Sequence, residues 1–101
     1  ENVYSIEVEN VVSAHPAVLE CAVIGVPDAR WGERVHVVVA LKSGSSLDVD
    51  ALIAFCRGQL AGYKIPRSLQ VHDGPLPRSA AGKVLKTNLR AAFRAANPPA
   101  A

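Results

Sequence analysis

Val18-Leu19-Glu20-Cys21-Ala22-Val23-Ile24-Gly25-Val26, followed after a turn-rich connection by Arg34-Val35-His36-Val37-Val38-Val39-Ala40-Leu41-Lys42, decides the fold class. In the first run Leu19, Cys21 and Val23 alternate with Glu20, Ala22 and Ile24, the period of a β-strand with at least one buried face. The second run is apolar and β-branched, which predicts another strand paired antiparallel with the first. Residues 25–32 between them hold Pro27, Asp28 and Gly32 around Arg30 and Trp31. Trp31 is the only tryptophan. No second aromatic accompanies it locally, so it is expected to cap the edge of the core rather than to form a stacking platform.

Helical spacing surrounds this pair. Ser5 is placed to cap a first helix, with Glu7 and Glu9 in or near its first turn. Val8, Val11, Val12 and His15 recur on one face, and Pro16 excludes helix from the residue before it. Past the Ser43-Gly44-Ser45-Ser46 break, Asp48 is expected to cap a second helix. Its apolar face carries Val49, Leu52, Ile53, Cys56 and Leu60, and Gly62 marks its end. Tyr63-Lys64-Ile65-Pro66 leads into a short strand near residues 68–72. After the Asp73-Gly74-Pro75 turn, a loop runs into a last helix with Leu85, Leu89, Ala92, Phe93 and Ala96 on one face. The order predicts an α+β domain in which three helices pack on a small three-stranded, largely antiparallel sheet.

Bulk composition narrows the function classes. A chain of 101 residues, half of them hydrophobic and a fifth charged, fits one folded domain. Residues 1–96 are expected to form it, and Asn97-Pro98-Pro99-Ala100-Ala101 a frayed tail. A net charge of +2 is too mild to point to nucleic acid. No run has the length of an integral membrane segment, and two cysteines outside any paired motif read as buried free thiols in a reducing, cytoplasmic setting. The chain opens at Glu1 without an initiator methionine or leader, which suggests a piece of something longer.

Chemistry concentrates in Pro77-Arg78-Ser79-Ala80-Ala81-Gly82-Lys83-Val84-Leu85-Lys86. Small residues let the backbone turn tightly and present the Lys83 ammonium just before a helix. A phosphate-binding P-loop would need glycine at position 77 and Ser or Thr at 84, where Pro77 and Val84 stand. Metal binding is not expected, since His15, His36 and His72 are scattered and neither cysteine has a partner at ligand spacing. Gly-x-Ser-x-Gly is absent, which sets aside a serine hydrolase. Lys86, Arg90 and Arg94 recur every four residues and read as a solvated helix face.

The ordered motifs resemble a known family. Pro77, four residues, Gly82-Lys83 and a basic Lys86 are similar to the Pro-x4-Gly-Lys-x-x-Arg/Lys signature near the end of the acyl-adenylate-forming enzymes, the superfamily of acyl-CoA synthetases, luciferases and peptide-synthetase adenylation domains. The stretch Glu1-Asn2-Val3-Tyr4-Ser5-Ile6-Glu7-Val8-Glu9 resembles the motif opening that family's small C-terminal domain. His15-Pro16-Ala17-Val18, Val23-Ile24-Gly25-Val26-Pro27-Asp28, Trp31-Gly32-Glu33 and Tyr63-Lys64-Ile65-Pro66 follow in the family's order. The likeness is greatest to the acyl-CoA synthetase branch. Ser5 stands where proline is usual, and Lys86 where arginine is frequent.

The resemblance implies a mobile C-terminal domain, residues 1–96, of an ATP-dependent acid–CoA ligase such as a fatty-acyl-CoA synthetase, working on a large N-terminal domain absent from this sequence. In such enzymes a carboxylic acid attacks the α-phosphate of ATP, accompanied by Mg and bound mainly by the absent domain. Coenzyme A then displaces AMP after the C-terminal domain rotates. By this likeness Lys83 is the adenylation lysine, with Pro77 and Gly82 supporting its loop. Glu1, Asn2 and Val3 would lie near the thiol channel, and Arg57 and Lys64 are candidates for the coenzyme A phosphates. Acetylation of Lys83 would remove its charge and stop adenylation. Transfer to a carrier protein, or a stand-alone interaction module without catalysis, are the alternatives. The isolated fragment is expected to be inactive.

Overall fold

The computed structural model describes residues 4–99; Glu1, Asn2 and Val3 of the expected thiol-channel motif lie outside them. Three helices, α1 (Ser5–Ser13), α2 (Val49–Cys56) and α3 (Lys86–Ala96), accompany three strands, β1 (Val18–Asp28), β2 (Gly32–Leu41) and β3 (Ser68–Val71), with a short 3-10 turn at Gly62–Lys64. The α+β expectation holds. β1 and β2 form an antiparallel hairpin, whereas β3 joins the free edge of β2 in parallel, from His36↔Ser68 to Val39↔Val71. A parallel neighbour needs a crossover, and the segment carrying α2 supplies it.

The sheet is covered on both sides. On one face Val23, Val35, Val37 and Val39 pack with Val8 and Val12 of α1 and with Leu52 and Cys56 of α2. On the other, Ala22, Ile24, Val26 and Val38 pack with Leu76 and Leu89. Double coverage explains why every residue of β2 from Val35 to Ala40 is buried, without the polar alternation of a one-sided sheet.

Several expected boundaries move. β1 runs on through Gly25, Val26 and Pro27 to Asp28, and β2 starts at Gly32, which shortens the connection to Ala29, Arg30 and Trp31. Pro27 is tolerated because β1 is an edge strand. Asp28 Oδ1 accepts the Arg30 and Trp31 N–H groups at 2.8 and 2.9 Å, and Gly32 takes φ +79°, so three residues suffice to reverse the chain. These two backbone bonds are also the main reason the Asp28 carboxyl titrates below its usual range.

Asp48 caps α2 as expected, accepting the Ala51 N–H at 2.8 Å. Ser5 does not cap α1: it is the first helical residue, buried, and Tyr4 occupies the cap position. Nor does α2 reach Gly62. Arg57 leaves the helix with ψ 135°, Gly58 takes φ +84°, and Leu60 reaches the core from this turn. Cys56 is buried, but Cys21 is only half-buried; burial raises both thiol pKa values. On α3 only Leu89 is fully buried, while Ala92 and Ala96 are exposed. Among the described residues no helix is long and apolar enough to cross a membrane.

Candidate functional site

The loop carrying Lys83 is anchored at both ends before it turns. Leu76 ahead of it and Leu89 behind it are 3% and 4% exposed in the second core cluster. Between them the chain folds into a small hairpin. The Leu85 N–H donates to Pro77 O at 2.8 Å, the Ser79 N–H to Lys83 O at 2.8 Å, and the Gly82 N–H to Ser79 O at 2.9 Å. Gly82 sits at φ +85°, a conformation that side chains with a Cβ disfavour. The Lys83 N–H also donates to Ser79 Oγ at 3.3 Å. Backbone bonds therefore hold the loop, and the Lys83 side chain is exposed at its tip.

Two ion pairs fasten this region to the rest of the domain. Arg78 bonds Gly82 O through Nη1 at 2.7 Å and the Glu20 carboxylate of β1 through Nη2. That bond is the main reason Glu20 titrates below its usual range, with the Leu76 N–H assisting and partial burial opposing. Lys86 Nζ lies 2.9 Å from Glu9 Oε2 on α1. With side chains of both partners 22% exposed, Lys86 is thus drawn inward, not set on the solvated face its spacing suggested. Lys83 rims an open groove of about 670 Å³ between α1, β1 and the start of α3, with Ile6, Glu9, Cys21, Lys86 and Arg90 among its walls.

A second groove, about 300 Å³, lies between Tyr4, Trp31, Glu33, Arg34, Tyr63 and Arg67. It shares no lining residue with the Lys83 groove. Trp31 does not cap the core edge: it is 66% exposed, and Tyr63 in the same groove is 68% exposed. Tyr4 meets Tyr63 edge-on, with ring centroids 5.7 Å apart. Arg30 lies 5.0 Å from the Trp31 ring centroid, and Arg34 is held by Asp28 at 3.3 Å and by Ser68 Oγ at 3.2 Å. Aromatic faces beside guanidinium groups suit a planar base attached to phosphate. Sequence reading missed this site because its aromatics come from three separate segments.

Of the basic residues expected at phosphate, Arg57 is exposed at the end of α2 and lines neither groove. Lys64 lies beside the aromatic groove, 5.6 Å from the centroids of both Tyr4 and Tyr63. It pairs with Glu7 Oε1 at 2.7 Å, which raises its pKa. Among the described residues no group of three or more His, Cys, Asp or Glu side chains could hold a metal ion.

Residues 7–83 match the family model of the AMP-binding enzyme C-terminal domain. The chain belongs to this family. Members similar to it include feruloyl-CoA synthase of Amycolatopsis sp., 50% identical over 93 residues that make up 92% of this chain and 19% of that protein. Long-chain-fatty-acid–CoA ligase of Escherichia coli O157:H7 is 46% identical over 89 residues, 88% of this chain and 16% of the relative. Among solved structures, apo MatB from Rhodopseudomonas palustris superposes with a TM-score of 0.86 at 41% identity, over 93% of this chain and 19% of that one. Mycobacterium tuberculosis fatty acyl CoA synthetase gives 0.83 at 38% identity, over 95% and 19%. The chain therefore spans about a fifth of the length of these relatives, and its core and Lys83 loop correspond to a C-terminal domain of the family.

Proposed function

We propose that this chain is the mobile C-terminal domain of an ATP-dependent acid–CoA ligase, and that Lys83 serves its adenylation half-reaction. A carboxylate oxygen must attack the α-phosphorus of ATP, expelling pyrophosphate, and both reactants are anions. An ammonium placed between them offsets their repulsion and orients the attack, and one such group is worth about 10²- to 10³-fold in rate. Lysine suits this role as a point charge on a flexible stem. Here it stands exposed on a loop that is itself held by backbone bonds.

In the second half-reaction the sulfur of coenzyme A attacks the acyl carbon and AMP leaves. The Trp31–Tyr63–Arg67 groove would take the adenosine 3′-phosphate end of coenzyme A, its rings against the base and Arg67 toward phosphate. Two separate grooves, one basic with Lys83 and one aromatic, on one small domain support this reading. Two sites on one body call for a rotation between steps, each turning one site toward the N-terminal domain that the relatives' greater length supplies. A cytoplasmic setting fits, where ATP and coenzyme A are available and Cys21 and Cys56 stay reduced. The relatives' names point to carboxylic acids such as ferulate and long-chain fatty acids as the substrate class.

The test is a pair of half-reaction assays on the full-length parent enzyme. Lys83→Ala should collapse acyl-adenylate formation and spare thioester formation from preformed acyl-adenylate. Both rates near wild type would reduce the domain to a binding or structural module.

A further inference from the structure

We propose that Arg78 and Glu20 are positioning residues for Lys83, forming a clamp that fixes the direction in which the loop presents its ammonium. This rests on the adenylation role given to Lys83 above. The planar guanidinium of Arg78 uses two nitrogens for two tasks. Nη1 donates to Gly82 O at 2.7 Å, the carbonyl of the peptide plane from which Lys83 departs, and so sets the orientation of that plane. Nη2 donates to Glu20 Oε1 at 2.5 Å, which ties the loop to β1. The other carboxylate oxygen, Oε2, accepts the Leu76 N–H at 3.1 Å. One side chain of the sheet thus grips both the segment entering the loop and the arginine that closes it.

The clamp contributes geometry more than stability. Arg78 and Glu20 side chains are 46% and 20% exposed, and partly exposed ion pairs add little to global folding. The buried Leu76 and Leu89 already hold the ends of the loop. Between those anchors, the Ser79–Lys83 turn closes on itself through its own backbone, and among the described residues the Arg78–Glu20 pair is what connects it by side chains to the sheet. Without that pair the turn can tilt as a unit about its two ends. A tilt of about 1 Å at the reacting group is enough to cost up to about 10²-fold in rate. The Lys86–Glu9 pair, by contrast, fastens the start of α3 to α1.

A mutant cycle on the full-length parent enzyme tests this. Arg78→Gln should lower the kcat of adenylation about tenfold or more with KM for ATP nearly unchanged, and the near-isosteric Glu20→Gln should do the same. Thioester formation from preformed acyl-adenylate should stay within about twofold. In a Lys83→Ala background, adding Arg78→Gln should change the residual adenylation by less than about twofold, because the clamp acts only through the lysine. Amide hydrogen exchange at residues 79–83 should speed up in Arg78→Gln and not in Lys83→Ala. Equal losses in both backgrounds, or no loss when Lys83 is present, would overturn the clamp. If Lys83→Ala itself leaves adenylation intact, the lysine assignment fails first and the clamp falls with it. If Lys83→Ala is inactive while Arg78→Gln and Glu20→Gln are not, only the clamp fails.

Discussion

Lys86 Nζ lies 2.9 Å from Glu9 Oε2, and that same carboxylate oxygen accepts the Val23 N–H at 2.7 Å. One acidic side chain of α1 therefore holds both the first residue of α3 and the backbone of β1. Lys86 occupies the position where arginine is frequent in the family signature, and its contact here is internal.

Lys86→Ala would remove this cation from the part-buried Glu9 carboxylate and should destabilise the domain by about 1–2 kcal/mol. Lys86→Arg, which keeps the charge, should lose less. Urea unfolding of the 101-residue chain measures both variants. Equal stability of Lys86→Ala and wild type would mean the pair is ornamental.

His36 gives the domain a pH dependence with a defined sign. It is 4% exposed, its Nδ1 is 2.6 Å from Ser68 Oγ, and its ring meets Phe93 of α3 edge-on at 4.8 Å. Burial lowers its pKa and the Arg34 guanidinium adds to that; the Gln70 side chain tempers the shift without making a full hydrogen bond to Nε2. Below its unfolded pKa of about 6.5 the unfolded chain takes up a proton that the folded chain resists. His36 should therefore leave stability unaffected above about pH 6.5 and erode it as pH falls toward its lowered folded pKa, with a slope of at most about 1.4 kcal/mol per pH unit. In His36→Gln the slope between about pH 7 and 5 should flatten. Identical slopes in urea titrations of the two proteins would assign the effect elsewhere.

Acetylation of Lys83 should act on chemistry without acting on structure. The loop is held by the Lys83 backbone N–H and carbonyl, and its exposed ammonium makes none of those bonds. Site-specific incorporation of acetyl-lysine into the full-length enzyme should cut adenylation about 10²- to 10³-fold and leave the melting temperature within about 1 °C. Deacetylation should restore the rate. A fully acetylated enzyme that still adenylates would remove Lys83 from the reaction.

Elements set by local periodicity were legible in the sequence. The strand at 20–24, the β-branched run at 35–39 and the cap at Asp48 each depend on neighbours within a few residues, and each forms as expected, while a register shift between Val18 and Glu20 leaves Leu19 exposed. Gly82 was legible for the same reason, because a tight turn demands it locally. What stayed hidden depends on distant partners. Leu60 follows helical spacing yet is buried from a turn, since Gly58 breaks the helix before it. Trp31 looked solitary until the fold brought Tyr63 and Tyr4 to its groove. The Arg78–Glu20 pair joins residues 58 positions apart, beyond the reach of any spacing argument. Lys86 belonged by periodicity to a solvated stripe, and only the approach of α1 turned it inward.

If one small domain serves two steps through two separate sites, a crossed comparison on the full-length parent enzyme will separate them. Adenylation and thioester formation from preformed acyl-adenylate are measured for wild type, Lys83→Ala and Trp31→Ala. Lys83→Ala should lose about 10²-fold or more in adenylation alone. Trp31→Ala should instead raise KM for coenzyme A about 5- to 150-fold, the equivalent of about 1–3 kcal/mol of lost stacking, and leave adenylation near wild type. Parallel losses in both steps for both variants, or no loss in either, would contradict it.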